Sequence, residues 1–407
     1  MTDSSTQANP PLGLPLAGVR VIAVEQYGAG PFGTMFLADQ GAEVIKIENP
    51  SDGGDVARSV GPYFMDNGDS HFFHAFNRNK KSMTLNLSKP EGQALLHRLV
   101  ARADALASNL RGDVPAKLGL TYATLGVHNP KIVCAHLSAY GREGPRAAWP
   151  GYDYLMQAEA GYFSLTGEVD GPPSRCGLSL VDLMTGLGLA YSVLTALTAA
   201  RTTGIGRDID VSLFDISLFN LGYLANWYLN AGANTSRLAR SAHPSLTPCQ
   251  LYKTLDGWIF LMCNKEKFWG LLCDAIGRPQ WSSDPRFVTF KDRLENRDLI
   301  TELLDTELSA KTTAEWLLEF AGSVPAAPIL DVAQALENPF VTDNGRLQDI
   351  QHPSGEHYRM VAPPIGTAGV DAPNEPGPAL GADTDALLDE LEVSSSERTK
   401  LRAAGVI

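Results

Sequence analysis

VRVIAVEQYGAGPFGTMFLADQGAEVIKIE, residues 19–48, decides the fold. Val19 to Val24 is a short β-branched apolar run, and Glu25 to Gly33 is rich in glycine. Thr34 to Gly41 has helical character, and Glu43 to Glu48 is a second strand-like run. Strand, helix and strand at this spacing make a βαβ unit, and a βαβ unit requires parallel strands.

The alternation continues downstream. Ser82 to Leu87 is strand-like, Pro90 to Ala103 helical, and Ala105 to Ser108 and Ile132 to Leu137 are buried-strand candidates. This is an α/β pattern with a nucleotide-style sheet. Leu183 to Ala200 places apolar residues at helical spacing, Thr203 to Gly206 supplies a turn, and Asp208 to Leu213 alternates as a strand. Asn234 to Pro248 is polar, holds two prolines and suits a linker or lid. Trp258 to Met262 follows as a strand, then helices around Phe268 to Ile276 and Ala314 to Phe320. The expected organisation is a large domain begun by residues 1–223, a smaller α+β domain inserted at 224–324, and a return through 325–407 with a helix at Asp383 to Leu391.

The chain has 407 residues, 44% of them hydrophobic and 19% charged, which excludes wholesale disorder. Its net charge of −13 argues against a nucleic-acid partner, because a phosphate backbone needs a basic footprint. Five cysteines stand at 134, 176, 249, 263 and 273 with no CxxC pair, so reduced thiols and a cytoplasmic location are expected. Met1 to Pro15 lacks the basic-then-apolar order of a signal peptide and is expected to be a loose arm. Gly177 to Ala200 is the most membrane-like run, but Asp182 and several Ser, Thr and Gly residues suit a buried helix better than a membrane span.

Two motifs carry chemistry. Gly28-Ala29-Gly30-Pro31-Phe32-Gly33 is a GxGxxG, with Glu48 twenty residues after Gly28. A nicotinamide dinucleotide would place its pyrophosphate on those glycines and a ribose hydroxyl on Glu48. Tight packing of strand on helix, or another adenine nucleotide, explains the glycines equally. In Gly177-Leu-Ser-Leu-Val-Asp182, a single carboxylate opens a long apolar helix. It is either a helix cap or a nucleophile kept ionised by the helix dipole. No GxSxG elbow occurs, and the eight histidines fall in no metal spacing. His71 and His74 can share a helix face, yet no third ligand stands near them in the sequence.

Longer blocks form a pattern. Pro15-Leu-Ala-Gly-Val-Arg-Val21, Ala29-Gly30-Pro31 and Leu37 to Glu48 come first. Asn77 to Ser82, Lys89 to Gly92, Asn109-Leu110-Arg111 and Lys117 to Leu120 follow. Ala139-Tyr140-Gly141, Gly151-Tyr152-Asp153, Gly171 to Pro173, Gly204 to Gly206, His243 to Ser245, Asp256-Gly257 and Ala379 to Thr384 complete the series. In this order, over essentially the whole chain, the sequence resembles the class III CoA-transferase family, of the formyl-CoA and carnitine CoA-transferase type.

The resemblance implies a Rossmann-like large domain, a small inserted domain and two chains interlocked as a homodimer. It implies an enzyme that moves CoA from an acyl-CoA, succinyl-CoA among the plausible donors, to a carboxylic acid. Asp182 falls at the family's nucleophile, through which an aspartyl-CoA thioester would form. CoA contacts carry over to Gly28, Ala29, Leu85, Asn109, Leu110, Arg111, Lys117 and Tyr140. The substrates are CoA thioesters and small acids, with no permanent cofactor, metal, nucleic acid or membrane involved. Arg111, Arg142 and Arg146 are candidates for gripping a distal carboxylate. Asn49 and the stretch His243 to Cys249 depart from the formyl-CoA pattern, which turns the expectation away from oxalate and formate. Tyr152 stands where the related 2-methylacyl-CoA racemases carry a histidine base, so racemisation is not expected.

Overall fold

The computed structural model describes residues 13–66 and 68–407, so the expected arm lies, up to residue 12, outside them. The chain runs through β1 (Arg20–Val24), α1 (Ala29–Asp39), β2 (Glu43–Glu48), α2 (His71–Asn77), β3 (Lys80–Thr84), α3 (Pro90–Val100) and β4 (Ala105–Ser108). Short helices α4 (Val114–Lys117) and α5 (Tyr122–Leu125) precede β5 (Val133–Ser138) and α6 (Asp153–Glu159). Then come α7 (Leu180–Thr203), β6 (Arg207–Ser212) and α8 (Leu213–Asn220).

The six strands form one parallel sheet in the order β3-β2-β1-β4-β5-β6. Val21 to Ala23, Ala105 to Ala107 and Val133 to Ala135 are wholly buried. A parallel sheet covered on both faces needs such unbroken apolar runs, which is why these segments read as strands without alternation. The five cysteines are unpaired.

Two helices meet backbone to backbone beside this sheet. A Cβ on Gly33 of α1 would lie 2.3 Å from the Gly186 carbonyl oxygen of α7. By length and composition α7 could cross a membrane, and here one of its faces lies against α1, β5 and β6. Gly204, with φ +76°, ends it in the left-handed conformation that glycine accepts without strain.

The remaining elements are α9 (Tyr223–Ala231), β7 (Cys249–Lys253), β8 (Trp258–Met262), α10 (Glu266–Ala275), α11 (Phe290–Glu295), α12 (Arg297–Leu308) and α13 (Thr313–Phe320). They are followed by β9 (Ala326–Pro328), α14 (Val332–Leu336) and α15 (Pro339–Thr342), then by the hairpin β10 (Leu347–Gln351) and β11 (His357–Val361). Helices α16 (Thr384–Glu390) and α17 (Ser395–Ala403) close the chain.

Two compact units result: one of residues up to Met156 with Leu178–Leu221 and Gly345–Ile407, the other of Gln157–Gly177 and Gly222–Asn344. The second unit is wider than the expected 224–324. Its three-stranded antiparallel sheet takes β9 beside β8, which carries the unit past residue 324. Its core gathers Tyr252, Trp269, Phe287, Trp316 and Phe320. The stretch 234–248, expected to be a linker or lid, is fastened to this unit, with Arg240 paired to Asp305 at 2.8 Å and Arg297 donating to the His243 carbonyl at 2.6 Å.

Candidate active site

Strand order reverses between β1 and β4, and the loops leaving the C-terminal ends of those strands diverge there. Open α/β sheets take ligands at this point. The cleft is lined by Gln26 to Ala29 after β1, Asn109 to Arg111 after β4, Leu137 to Ala139 at the end of β5, Trp149 to Tyr152, Leu213 and Asp182.

Asn109 joins the two loops. Its Oδ1 accepts the Gln26 N–H at 2.9 Å and its Nδ2 donates to the Gln26 carbonyl at 2.7 Å. Gly30 leaves the space for it, since a Cβ there would stand 2.7 Å from the Asn109 side chain. Tyr27 takes φ +69°, a costly conformation for a non-glycine residue, and its N–H is held by Asp55 Oδ1 at 2.9 Å.

Asp55 belongs to a buried charge network. Lys46 lies 2.8 Å from Asp55 Oδ2, Lys80 lies 2.8 Å from Glu25 Oε1, and all four side chains are buried. Burial pulls the Lys80 ammonium down to about 8, against the opposing pull of Glu25. This network fixes the first loop from beneath.

Asp182 sits in the first turn of α7, half-buried, at the wall of the cleft. The helix begins at Leu180 with Ser179 in the capping position, so Asp182 is not the cap that its place in the sequence allowed. Buried Asp153 plays that part: its Oδ2 accepts the Asp182 backbone N–H at 2.9 Å. No side chain donates to the Asp182 carboxylate among the described residues. Burial first, and the Asp153 charge second, push this carboxyl up to about 7. Burial and Asp153 thus act against the helix start, which was expected to keep this carboxylate ionised.

The structure brings Gly28, Ala29, Asn109, Leu110, Arg111 and Asp182 together around one cleft. Leu85, Lys117 and Tyr140 do not line it. Leu85 is buried in the hydrophobic core, with its N–H bonded to the Glu48 carbonyl. Lys117 pairs with Asp113, which also holds Arg111. Tyr140 packs edge-on against Trp149, 6.0 Å between ring centroids, so it supports the wall. Arg142 is engaged by Asp210 and Asp208, and Arg146 stacks on Tyr140 and Trp149. Sequence reasoning missed Tyr27, Ser138 and Trp149, whose residue types carry no motif.

Glu48 is not available to a ribose. Its Oε1 accepts from Arg58 Nε and the Asp55 N–H, and its Oε2 from Arg58 Nη2 and the Ser82 hydroxyl. Both oxygens are filled, which removes the dinucleotide reading of that residue. A chain of catalytic-triad connectivity does exist: Ser108 Oγ lies 2.9 Å from His136 Nδ1, and His136 Nε2 lies 3.0 Å from Asp208 Oδ1. Ser108 and His136 are fully buried between strands, so no substrate reaches that hydroxyl.

The sequence matches CoA-transferase family III over residues 16–384. The chain belongs to that family. Relatives of this CoA-transferase include a succinate–glutarate CoA-transferase of Agrobacterium fabrum, 35% identical over 392 residues that cover 95% of this chain and 97% of the relative. An acetyl-CoA:oxalate CoA-transferase of Acetobacter aceti is 38% identical, covering 89% of this chain and 91% of its own. Among solved structures, a CaiB/BaiF family protein from Brucella suis superposes with TM-score 0.80 at 33% identity, covering 93% of this chain and all of the other. The chain is an acyl-CoA:carboxylate CoA-transferase.

Proposed function

We propose that this CoA-transferase moves CoA from succinyl-CoA to a small dicarboxylic acid through covalent intermediates on Asp182. The observation that carries the reading is the placement of Asp182: a carboxylate with no side-chain donor among the described residues, on the wall of the switch-point cleft, beside the loop after β1. An enzyme carboxylate that takes first the acyl group and then CoA lets the donor and acceptor acids react in turn at one bound thioester.

Asp182 attacks the donor carbonyl, giving a mixed anhydride and CoA thiolate. The thiolate attacks the aspartyl carbonyl, releasing the donor acid and leaving an aspartyl-CoA thioester. The acceptor carboxylate and the same thiolate then repeat the two steps in reverse order. Helix α1 opens at Ala29 on the cleft wall; Pro31 has no N–H and that of Phe32 is bonded to the Gly28 carbonyl, so the N–H groups of Ala29 and Gly30 are the ones without a partner inside the helix. They suit the negative charge that develops on each carbonyl oxygen.

Gly28, Ala29, Asn109, Leu110 and Arg111 form the CoA-binding side in this reading, with Lys117 and Tyr140 at its margin. Succinyl-CoA as donor is supported by the names of several relatives, which transfer CoA between succinate and glutarate or mesaconate. The Acetobacter aceti relative makes oxalate the competing acceptor.

We also propose a homodimer, acting in the cytoplasm. On α7, Leu187, Tyr191 (72% exposed) and Leu194 turn an apolar stripe away from the sheet, and Phe219 on α8 is 84% exposed. A second copy of the chain would cover such a surface.

One experiment tests the covalent step. Wild-type enzyme incubated with succinyl-CoA, then with hydroxylamine or borohydride, should yield one peptide modified at Asp182 by mass mapping. A label on any other residue, or unchanged turnover in Asp182→Asn, would refute the mechanism.

A further inference from the structure

A cluster outside the cleft joins three chain segments. His74 lies in α2, His352 follows β10, and Asp69 precedes α2. His352 Nε2 is 3.2 Å, and His74 Nε2 is 3.9 Å, from the same oxygen, Asp69 Oδ2. Both imidazoles are buried, and one atom from each of the three residues lies within 4.8 Å of the others. Two ligands at 2.0–2.1 Å from a tetrahedral zinc ion stand roughly 3.3–3.4 Å apart, so the two measured separations bracket the edge of such a site.

The far ring nitrogens are held as well. His352 Nδ1 is 2.8 Å from the Ser354 hydroxyl, which itself donates to Glu356 Oε2 at 3.1 Å. A hydroxyl that donates to Glu356 accepts from His352. In that tautomer the ring proton is on Nδ1, and the Nε2 lone pair faces a carboxylate oxygen. That arrangement calls for a cation between them.

The Ser354 N–H also approaches Nδ1 at 3.1 Å, and this contact suits the opposite tautomer, in which Nε2–H donates to Asp69. His74 gives an observation that holds in both cases. Its Nε2 is buried without a hydrogen-bond partner, at a distance too long for one in either tautomer. Its Nδ1 lies 3.3 Å from the Tyr358 hydroxyl, which can accept a ring N–H.

We propose that Asp69, His74 and His352 bind a divalent transition-metal ion, with two imidazoles and a carboxylate selecting Zn²⁺ and a fourth position taken by water. The ion ties the β10–β11 hairpin to α2. Phe72 of that helix packs 5.1 Å from Tyr27, so the ion steadies the element behind the first cleft loop.

The test is calorimetric titration of chelator-treated full-length protein with Zn²⁺, repeated with His352→Asn and Asp69→Asn. One ion per chain at micromolar affinity or tighter is expected. Each substitution should weaken binding by more than about 100-fold, beyond the loss of an outer hydrogen-bond partner. Co²⁺ should give the visible spectrum of a tetrahedral site. Absence of Zn²⁺ binding by the wild type, or binding unaltered in both variants, overturns the proposal and leaves a carboxylate held between two neutral histidines. The wild-type titration decides even where a variant fails to fold.

Discussion

A methyl group on Gly28 would stand 3.1 Å from the Asp182 carboxylate oxygen Oδ2. The first glycine of the GxGxxG thus makes room for a side chain of another helix. The second makes room for Asn109 and the third for the Gly186 backbone. All three serve close approach within the protein.

Gly28→Ala is therefore expected to damage chemistry more than folding. The glycine has a negative φ of −119°, so alanine meets no left-handed penalty there. Crowding of about 1–3 kcal/mol at the carboxylate should lower kcat by about 10–100-fold, with Tm little changed. Gly33→Ala, aimed at a backbone oxygen 2.3 Å away, should instead lower Tm. Steady-state kinetics beside thermal melts separate the two outcomes.

Turnover should rise with pH through about 7, where Asp182 ionises. The same shift acts on stability with a definite sign. A carboxyl whose folded pKa is raised lets the folded state bind more protons between its unfolded pKa and about 7, so stability falls as pH rises across that window. Asp182→Asn should lose transfer yet melt higher than wild type at pH 8, with the gap closing as pH falls toward 5. An equal gap at both pH values would contradict the assignment.

The Glu25–Lys80 pair should be costly to break singly. Lys80→Met leaves Glu25 buried and short of its partner, which costs about 3–5 kcal/mol. Glu25→Gln combined with Lys80→Met should recover much of that loss. Chemical denaturation of the two single variants and the double variant measures the coupling.

Coenzyme A, and not NAD, should raise the melting temperature. Glu48 has both oxygens filled by Arg58, Asp55 and Ser82, which leaves no acceptor for a ribose hydroxyl. Stabilisation by NAD alone in a thermal-shift assay would overturn this expectation.

Much of the sheet was legible because its strands are apolar runs. Glu43–Glu48, Ala105–Ser108 and Trp258–Met262 form strands with the limits expected of them. The first helix starts at Ala29, ahead of the expected Thr34, because a proline in the first turn and close-packed glycines hid its N-terminus. The third strand starts at Lys80, earlier than expected, since a lysine reads as solvent-facing until its partner Glu25 is found in space. Within the cleft, Asp182 and the Asn109 block were visible as motifs. The strained Tyr27 and the capping Asp153 were not, because both depend on contacts between segments far apart in sequence.

Strand β3 lies at the edge of the sheet, and its open side is closed by the far end of the chain: Ser82 N–H donates to Asp383 Oδ2 and Thr84 N–H to the Thr384 hydroxyl. Ser82 and Asp383 are 301 residues apart. At ribosomal rates of about 5–20 residues per second, the nascent chain carries this edge uncovered for roughly 15–60 seconds. An unpaired edge is a template for wrong pairing. The interval before Asp383 emerges is when a newly made chain is most exposed to aggregation, and when a chaperone has most to protect.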